Sequence, residues 1–509
     1  MKHEGENQRL IRETAYLSIF SVSLQGLGLL LNVFLTRRLG TASVGVFALI
    51  GSFYGLAAVL SGGSGFIASS RLISEELGCG GNPNRVFQYA LRFCLTLSSI
   101  FCLILCIFAP WIVTVRSIAQ TGATAFTIRL LSISLPIAAV SACLKGRCYA
   151  YHRVYIPAIS ESIEFLIRAG VMAFCAVFCI PSGRMSILTA FGLSMLAGQG
   201  AATLFLASIR VRKEACKREC KISFRGYILT VLPIIGNACL VSLLSTANDA
   251  LVPLTLLQFG NSTEEALSQF GEFEAIIIPT LFFPSVIQCC MSGLLVPELS
   301  HARSANDHNG IRRLTQRVLE QTASFSFYIV LLLILFGEII GSFLGGDAFA
   351  GKILRCMGPV VPFIYLEIIM EGILRGLGKQ NFSSLNYLAE YVVRISVLLI
   401  CVPLFGFYGI VASYMACNLS GNAVRLFFVL RLTGLKPEWK RILVYPLFSL
   451  ILSWQFTQLL LWIFGGKSWS PTIYFAVFAV LCGLLDLFLL RVISELGTTH
   501  SKSATPLTT

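Results

Sequence analysis

Charge is scarce in this 509-residue chain, where Asp, Glu, Lys and Arg together make up 13% of the residues. Set against 56% hydrophobic residues and a mean hydropathy of +0.78, that scarcity excludes an ordinary water-soluble domain. Histidine is scarcer still. The five residues His3, His152, His301, His308 and His500 fall at loops, termini or the ends of apolar runs, with no His-x3-His pair. No histidine-centred hydrolytic or metal site is therefore expected. A P-loop is also missing, so the chain does not itself hydrolyse ATP. No polar His or Asp motif of a membrane acyltransferase or glycosyltransferase stands out, and the reading is a non-enzyme without cofactor or metal. The 17 cysteines form no framework. Cys94, Cys102, Cys106, Cys175, Cys179, Cys289 and Cys290 lie within apolar runs and act as small apolar residues, while Cys216 and Cys220 have Lys and Arg around them rather than zinc ligands.

What the chain has in abundance is long apolar runs. A hydrocarbon core of about 30 Å needs about 20 helical residues, and some fourteen runs meet that length: 11–36, 44–70, 87–110, 123–144, 155–180, 186–209, 226–259, 273–296, 319–345, 353–374, 382–405, 408–430, 442–464 and 471–494. The runs are continuous rather than alternating with period two, so helices and not a barrel are predicted. The fold class is an all-α polytopic membrane protein. The N-terminus is polar for nine residues and then apolar for about 26, too long for a signal-peptide core, and is read as an uncleaved first span.

The net charge of +14 invites a nucleic-acid reading, but its distribution argues against one. With the N-terminus placed in the cytoplasm, 27 of the 39 Lys and Arg residues fall on inner segments or, for Arg12 and Arg491, at the inner ends of the first and last runs, six on outer links and the remaining six within spans. That asymmetry is the positive-inside pattern, which predicts both termini on the cytoplasmic side and no nucleic-acid partner.

The chain also repeats itself. A shift of 226 residues lays SLPIAAVSACLKGRCYAYHRVYIPAISESIEFLIR (134–168) on VVPFIYLEIIMEGILRGLGKQNFSSLNYLAEYVVR (360–394), matching Pro136 with Pro362, Gly146 with Gly372, Arg153 with Lys379, Glu164 with Glu390 and Arg168 with Arg394. Ser74 and Ser300 share the offset. Six spans separate the copies, so the halves are expected to run in the same direction across the membrane. The organisation predicted is a six-helix lobe over 1–209, a basic cytoplasmic loop over 210–225, a second six-helix lobe over 226–432, two further helices over 433–495 and a cytoplasmic tail over 496–509.

A 6+6+2 chain of this kind resembles the multidrug/oligosaccharidyl-lipid/polysaccharide exporter superfamily. Particular segments are similar to its stage V sporulation protein B group of polysaccharide flippases: LTRRLGTASVGVFAL (35–49), GFIASSRLISEE (65–76), the stretch 248–287 from NDALVPL to FFPSVI, LVPELSHA (295–302) and GPVVPFIYLEIIMEGILRGLGKQ (358–380). Related flippases tend to carry an Arg in the first helix, whereas residues 13–36 here hold no basic residue. The resemblance implies alternating access through a central cleft, with an isoprenoid-linked sugar as substrate, membrane lipids around it and a monomeric chain. Energy would come from the membrane potential or a Na+ or H+ gradient.

Charges inside spans are the candidates for function, since each is costly at a helix centre unless it faces a cavity or a partner. Glu164/Arg168 and Glu390/Arg394 are i,i+4 pairs with the acid first, either self-neutralising struts or cavity polarity. Glu161 has no base at i+4 and suits a cavity. Arg37, Arg38 and Arg71 either snorkel at the interface or offer forked hydrogen bonds to a diphosphate, with Asn32 adding polarity deeper on the first span. Asn248 and Asp249 interrupt an apolar run and suggest a cation or proton site, or a counter-ion to a cavity Arg. Glu367 and Glu371 repel each other in a way that suits proton coupling, unless Arg375 simply bridges to Glu371. Two rivals to the flippase remain. A cation-coupled multidrug antiporter of the same superfamily would favour an acid in the first span, which residues 14–36 lack, and a scaffold without transport would pack apolar side chains where a cleft should be.

Overall fold

The computed structural model describes residues 2–63, 65–78, 81–114, 123–151, 153, 155–183, 185–209, 223–346, 348–464, 479–481 and 483–485. Within them every regular element is a helix. The basic loop 210–225 for all but its last three residues, most of the run 471–494 and the tail 496–509 lie outside the described residues, as do Cys216, Cys220 and His152.

The chain divides into two compact units. The first comprises residues 1–275 with 398–409, and the second 276–397 with 410–509. The first unit contains α1 (Lys2–Leu39), α2 (Thr41–Ala58), α3 (Gly65–Gly78), α4 (Pro83–Ile112), α5 (Ala125–Ala150), α6 (Tyr155–Phe174), α7 (Ile187–Ser208), α8 (Phe224–Phe259) and α9 (Thr263–Glu272). Helices α10 (Ile278–Phe282), α11 (Val286–Ser304), α12 (His308–Phe343), α13 (Ala348–Met357), α14 (Val361–Gly376), most of α15 (Gln380–Phe405) and α16 (Phe407–Thr433), and α17 (Tyr445–Phe464) belong to the second.

Short polar residues at the ends of apolar runs set where helices start. Asn82, Thr124, Ser186 and Ser223 each accept a backbone N–H from the first turn of the helix they precede, and Asp307 does so for α12 at 2.8 Å. Ser262 and Glu265 form a reciprocal capping box on α9. Between α2 and α3 the helical path breaks at Gly62, whose φ of 108° is open to a residue without Cβ.

Among the described residues ten helical segments are long and apolar enough to cross a membrane, from Thr41–Leu77 to Gln380–Phe405. They coincide with ten of the fourteen apolar runs. The first run falls on α1, and runs 408–430 and 442–464 on α16 and α17. Outward faces are apolar, as Leu204 (74% exposed), Ile107 and Trp111 (both 69%) illustrate. Water would not tolerate so much bare apolar surface, whereas lipid does, and the chain is an integral membrane protein.

Helices approach closely where glycine removes the side chain. A Cβ on Gly146 of α5 would press on the carbonyl of Phe66 and on Ser69 of α3, and one on Gly372 of α14 would press on Ser292 of α11. Gly146 and Gly372 are 226 residues apart, and so are Phe66 and Ser292, so each unit reuses the same helix crossing at the offset read from the sequence. A third crossing joins α2 to α9. There Gly45 and Gly271 lie backbone to backbone, and Thr41 Oγ1 is 2.5 Å from Ser268 Oγ.

A Cβ on Gly271 would overlap the Thr41 carbonyl oxygen and the Gly45 amide, backbone atoms that cannot turn aside. Gly271→Ala is therefore expected to destabilise the protein by about 1–3 kcal/mol. Gly55→Ala, with nothing within 4 Å of its added methyl, should be neutral or slightly stabilising. Chemical unfolding in detergent micelles checks both. Equal stability of the two variants would mean that the α2–α9 crossing is loose.

Candidate functional site

In the first unit, α1, α2, α6, α7, α8 and the turn after α9 wall a cavity of about 440 Å³. Most of its wall is apolar, including Leu31, Leu35, Met172 and Met195, with Phe47 and Phe191 stacked at 5.6 Å. Six side chains bring polarity to the lining: Asn32, Ser52, Arg168, Ser194, Asp249 and Glu274. Helical spacing explains the α1 contribution, since Leu31, Asn32 and Leu35 fall on one stripe of that helix.

Asp249 is held from two sides. Ser52 Oγ donates to its Oδ2 at 2.6 Å, and Asn248 Nδ2 donates to its Oδ1 at 3.1 Å. Thr246 Oγ1 donates to the Ser52 carbonyl at 3.2 Å, bringing another oxygen into the same corner. Asn32 is tied by its Nδ2 to the Ala275 carbonyl at 3.3 Å. The carboxylate thus sits among hydroxyl and amide groups rather than against a base.

Of the candidates named from sequence, Asn32, Asp249 and Arg168 line this cavity. Asn248 is buried behind Asp249. Arg37 and Arg38 are exposed in the last turn of α1, outside the lining. Arg71 is exposed on α3, where its Nε donates to Glu75 at 2.8 Å. Glu161 lies 3.5 Å from Lys145 Nζ. The i,i+4 pair Glu164/Arg168 does not form. Glu164 lies 3.4 Å from Lys145 Nζ instead, while the Arg168 guanidinium lies over the Phe165 ring and 3.8 Å from Met195 Sδ.

The second unit differs from expectation in the same way. Glu390 pairs with Arg425 rather than with Arg394: Nη1 lies 3.0 Å from Oε1 and Nη2 donates to Oε2 at 3.1 Å. Asn386 also donates to Glu390, at 2.8 Å. Arg425 Nη2 lies 3.3 Å from Glu367, and its guanidinium faces the Tyr387 ring at 5.4 Å. The Arg394 guanidinium stacks on Tyr414 at 3.6 Å. Glu371 is bridged to Arg375 at 2.6 Å, one of the two arrangements left open for that residue.

Lys145 and Arg425 are the bases that the i,i+4 spacing did not name. The repeat holds the signal that would have found them. At the 226-residue offset Lys145 corresponds to Glu371, and Gln199 corresponds to Arg425. The base that neutralises the equivalent acids Glu164 and Glu390 has moved from the helix before the acid to the helix after it. Ser52 and Glu274 carry no comparable signal, because only the fold brings them into one lining with Asp249.

Residues 295–400 match the MatE family model. A curated relative, the stage V sporulation protein B of Bacillus subtilis strain 168, is 22% identical over 415 residues, which is 79% of this chain and 80% of the relative. Among solved structures, the lipid II flippase MurJ in an inward closed conformation is similar with a TM-score of 0.66 at 14% identity, over 94% of this chain and 99% of that one. A multidrug resistance MATE family transporter of the MOP superfamily, in an inward-facing conformation, has a TM-score of 0.61 at 14% identity, over 82% and 98% of the two chains. The Vibrio cholerae MATE transporter VcmN in its bent form has a TM-score of 0.56 at 16% identity, over 85% and 98%. The fold is shared with MurJ and with these MATE transporters, as the sequence resemblance implies.

Arg425 is fully buried with two carboxylates on it. Arg425→Met leaves both without their base and is expected to cost about 3–5 kcal/mol of stability. Adding Glu367→Gln and Glu390→Gln removes the stranded charges and should recover most of that loss. Unfolding curves for the single and triple variants measure the difference, and a triple variant no better than the single would show that the cluster is not held by charge.

Proposed function

We propose that this chain is a flippase of the multidrug/oligosaccharidyl-lipid/polysaccharide exporter superfamily that moves a lipid-linked sugar, a cell-wall or polysaccharide precursor, across the bacterial cytoplasmic membrane by alternating access. The observation that carries the reading is the cavity of the first unit, where a few polar groups converge in an otherwise apolar wall. A sugar-diphosphate headgroup needs such polar groups, while its isoprenoid tail stays in lipid. Kinship with the Bacillus subtilis protein over four fifths of the chain supports the same reading.

In this proposal the chain has fourteen spans arranged 6+6+2, acts as a monomer and keeps both termini in the cytoplasm. The source of energy is the membrane potential or a Na+ or H+ gradient. Asp249, with the Ser52 and Thr246 hydroxyl oxygens beside it, offers the oxygen donors that a coupling Na+ or a proton requires. A second reading is a cation-coupled multidrug antiporter. It is favoured by one feature of the cavity, two carboxylates, Asp249 and Glu274, in the lining against one guanidinium.

Proteoliposomes carrying lipid-linked sugar donors, with and without imposed Na+, H+ and electrical gradients, test the proposal. Flipping is expected to depend on a gradient and to fall at least tenfold in Asp249→Asn at normal expression, because the isosteric amide removes the charge. Gradient-driven uptake of cationic drugs, with no flipping of any donor, would move the assignment to the antiporter. Cysteine labelling checks the topology: 431–441 is expected on the cytoplasmic side and 260–262 outside.

A further inference from the structure

We infer that Arg168 is the anion anchor of the cavity, the residue that grips the phosphate of the transported headgroup. This rests on the flippase reading and assigns one of its contacts. Four positions before Arg168 on α6 stands Glu164, the partner that helical geometry offers first. Lys145, reaching across from α5, takes that carboxylate at 3.4 Å and Glu161 at 3.5 Å. Among the described residues no carboxylate lies within ion-pair distance of Arg168, whose guanidinium meets the soft sulfur of Met195 and the ring of Phe165.

Arg168 is also held in place. Gly198 of α7 packs so tightly on α6 that a Cβ there would touch the Glu164 carbonyl and lie 3.1 Å from Arg168 Cβ. The guanidinium therefore stands on a packed helix pair and lines the cavity, where its forked N–H groups suit a phosphate or diphosphate. Among the described residues neither of the cavity's acids, Asp249 and Glu274, lies within ion-pair distance of Arg168, and Asp249 is already bonded to Ser52 and Asn248. A guanidinium within a span is costly unless an anion meets it, and Lys145 occupies Glu164, the acid one helical turn before Arg168.

Binding of polyprenyl diphosphate, uncharged polyprenol, inorganic pyrophosphate and phosphatidylglycerol vesicles to the full chain in nanodiscs or detergent tests the assignment. Arg168→Gln is expected to weaken polyprenyl diphosphate binding by about tenfold or more and to leave polyprenol binding unchanged, with Arg168→Lys in between. Lys145→Met frees Glu164 to capture Arg168 and should weaken binding similarly, whereas Lys145→Met with Glu164→Gln should restore it. A purely packing role for Arg168 would not produce that rescue, and the double variant keeps the test valid if Arg168→Gln fails to fold. Undiminished diphosphate binding in a folded Arg168→Gln, or no rescue in the double variant, overturns the anchor and leaves the flippase reading standing. Arg168-dependent binding of pyrophosphate or phosphatidylglycerol alone, with no affinity for polyprenyl diphosphate, keeps the anchor and removes the lipid-linked sugar. Binding of no anion at all overturns the anchor.

Discussion

A charge carried to the depth of the hydrocarbon needs a counter-charge or a polar cavity, and the arrangement of both units follows from how each acid meets that need. In the first unit Lys145 neutralises Glu161 and Glu164 from the neighbouring helix. In the second, Arg425 neutralises Glu367 and Glu390 from a helix on the other side in sequence. These two solutions occupy equivalent positions of one repeat but draw the base from different helices. The consequence differs as well: Arg394 rests on the Tyr414 ring, whereas Arg168 lines a cavity.

Packing supplies the rigidity that such placement needs. Between helices in lipid there is little hydrophobic driving force, so close approach through small residues carries more of the load. Gly146 and Gly372 serve the same crossing in the two units, Gly198 locks α7 onto the turn that bears Arg168, and Gly45 meets Gly271 where α2 crosses α9. Because Gly45 precedes Ser52 on α2, that last crossing also sets the height at which Ser52 reaches Asp249.

The cavity combines apolar walls with a divided polar lining. Asp249 lies in a corner of hydroxyl and amide groups, and Arg168 in one of sulfur and aromatic carbon. A carboxylate among oxygens suits a cation, and a guanidinium among soft neighbours suits an anion. Transport of a charged headgroup coupled to a small cation would use both corners.

Membrane residence, the helical class, ten of the spans and the 226-residue repeat were legible from the chain alone, because length and apolarity of a run are local properties and a bilayer imposes them without reference to tertiary contacts. Asn32 and Asp249 could be singled out for the same reason, as polar residues in apolar surroundings. The partners could not be read. Helical spacing favoured Glu164 with Arg168 and Glu390 with Arg394, since an i,i+4 pair is the nearest available, but a base on an adjacent helix can approach just as closely once the helices pack. Only the tertiary structure decided that Lys145 and Arg425 take those acids, that Ser52 and Glu274 join Asp249 in one lining, and that Arg37 and Arg38 stand outside it. Such contacts depend on how helices cross, in one case where Gly45 meets Gly271 from 226 residues away, and the linear pattern of side chains does not carry the geometry of a crossing.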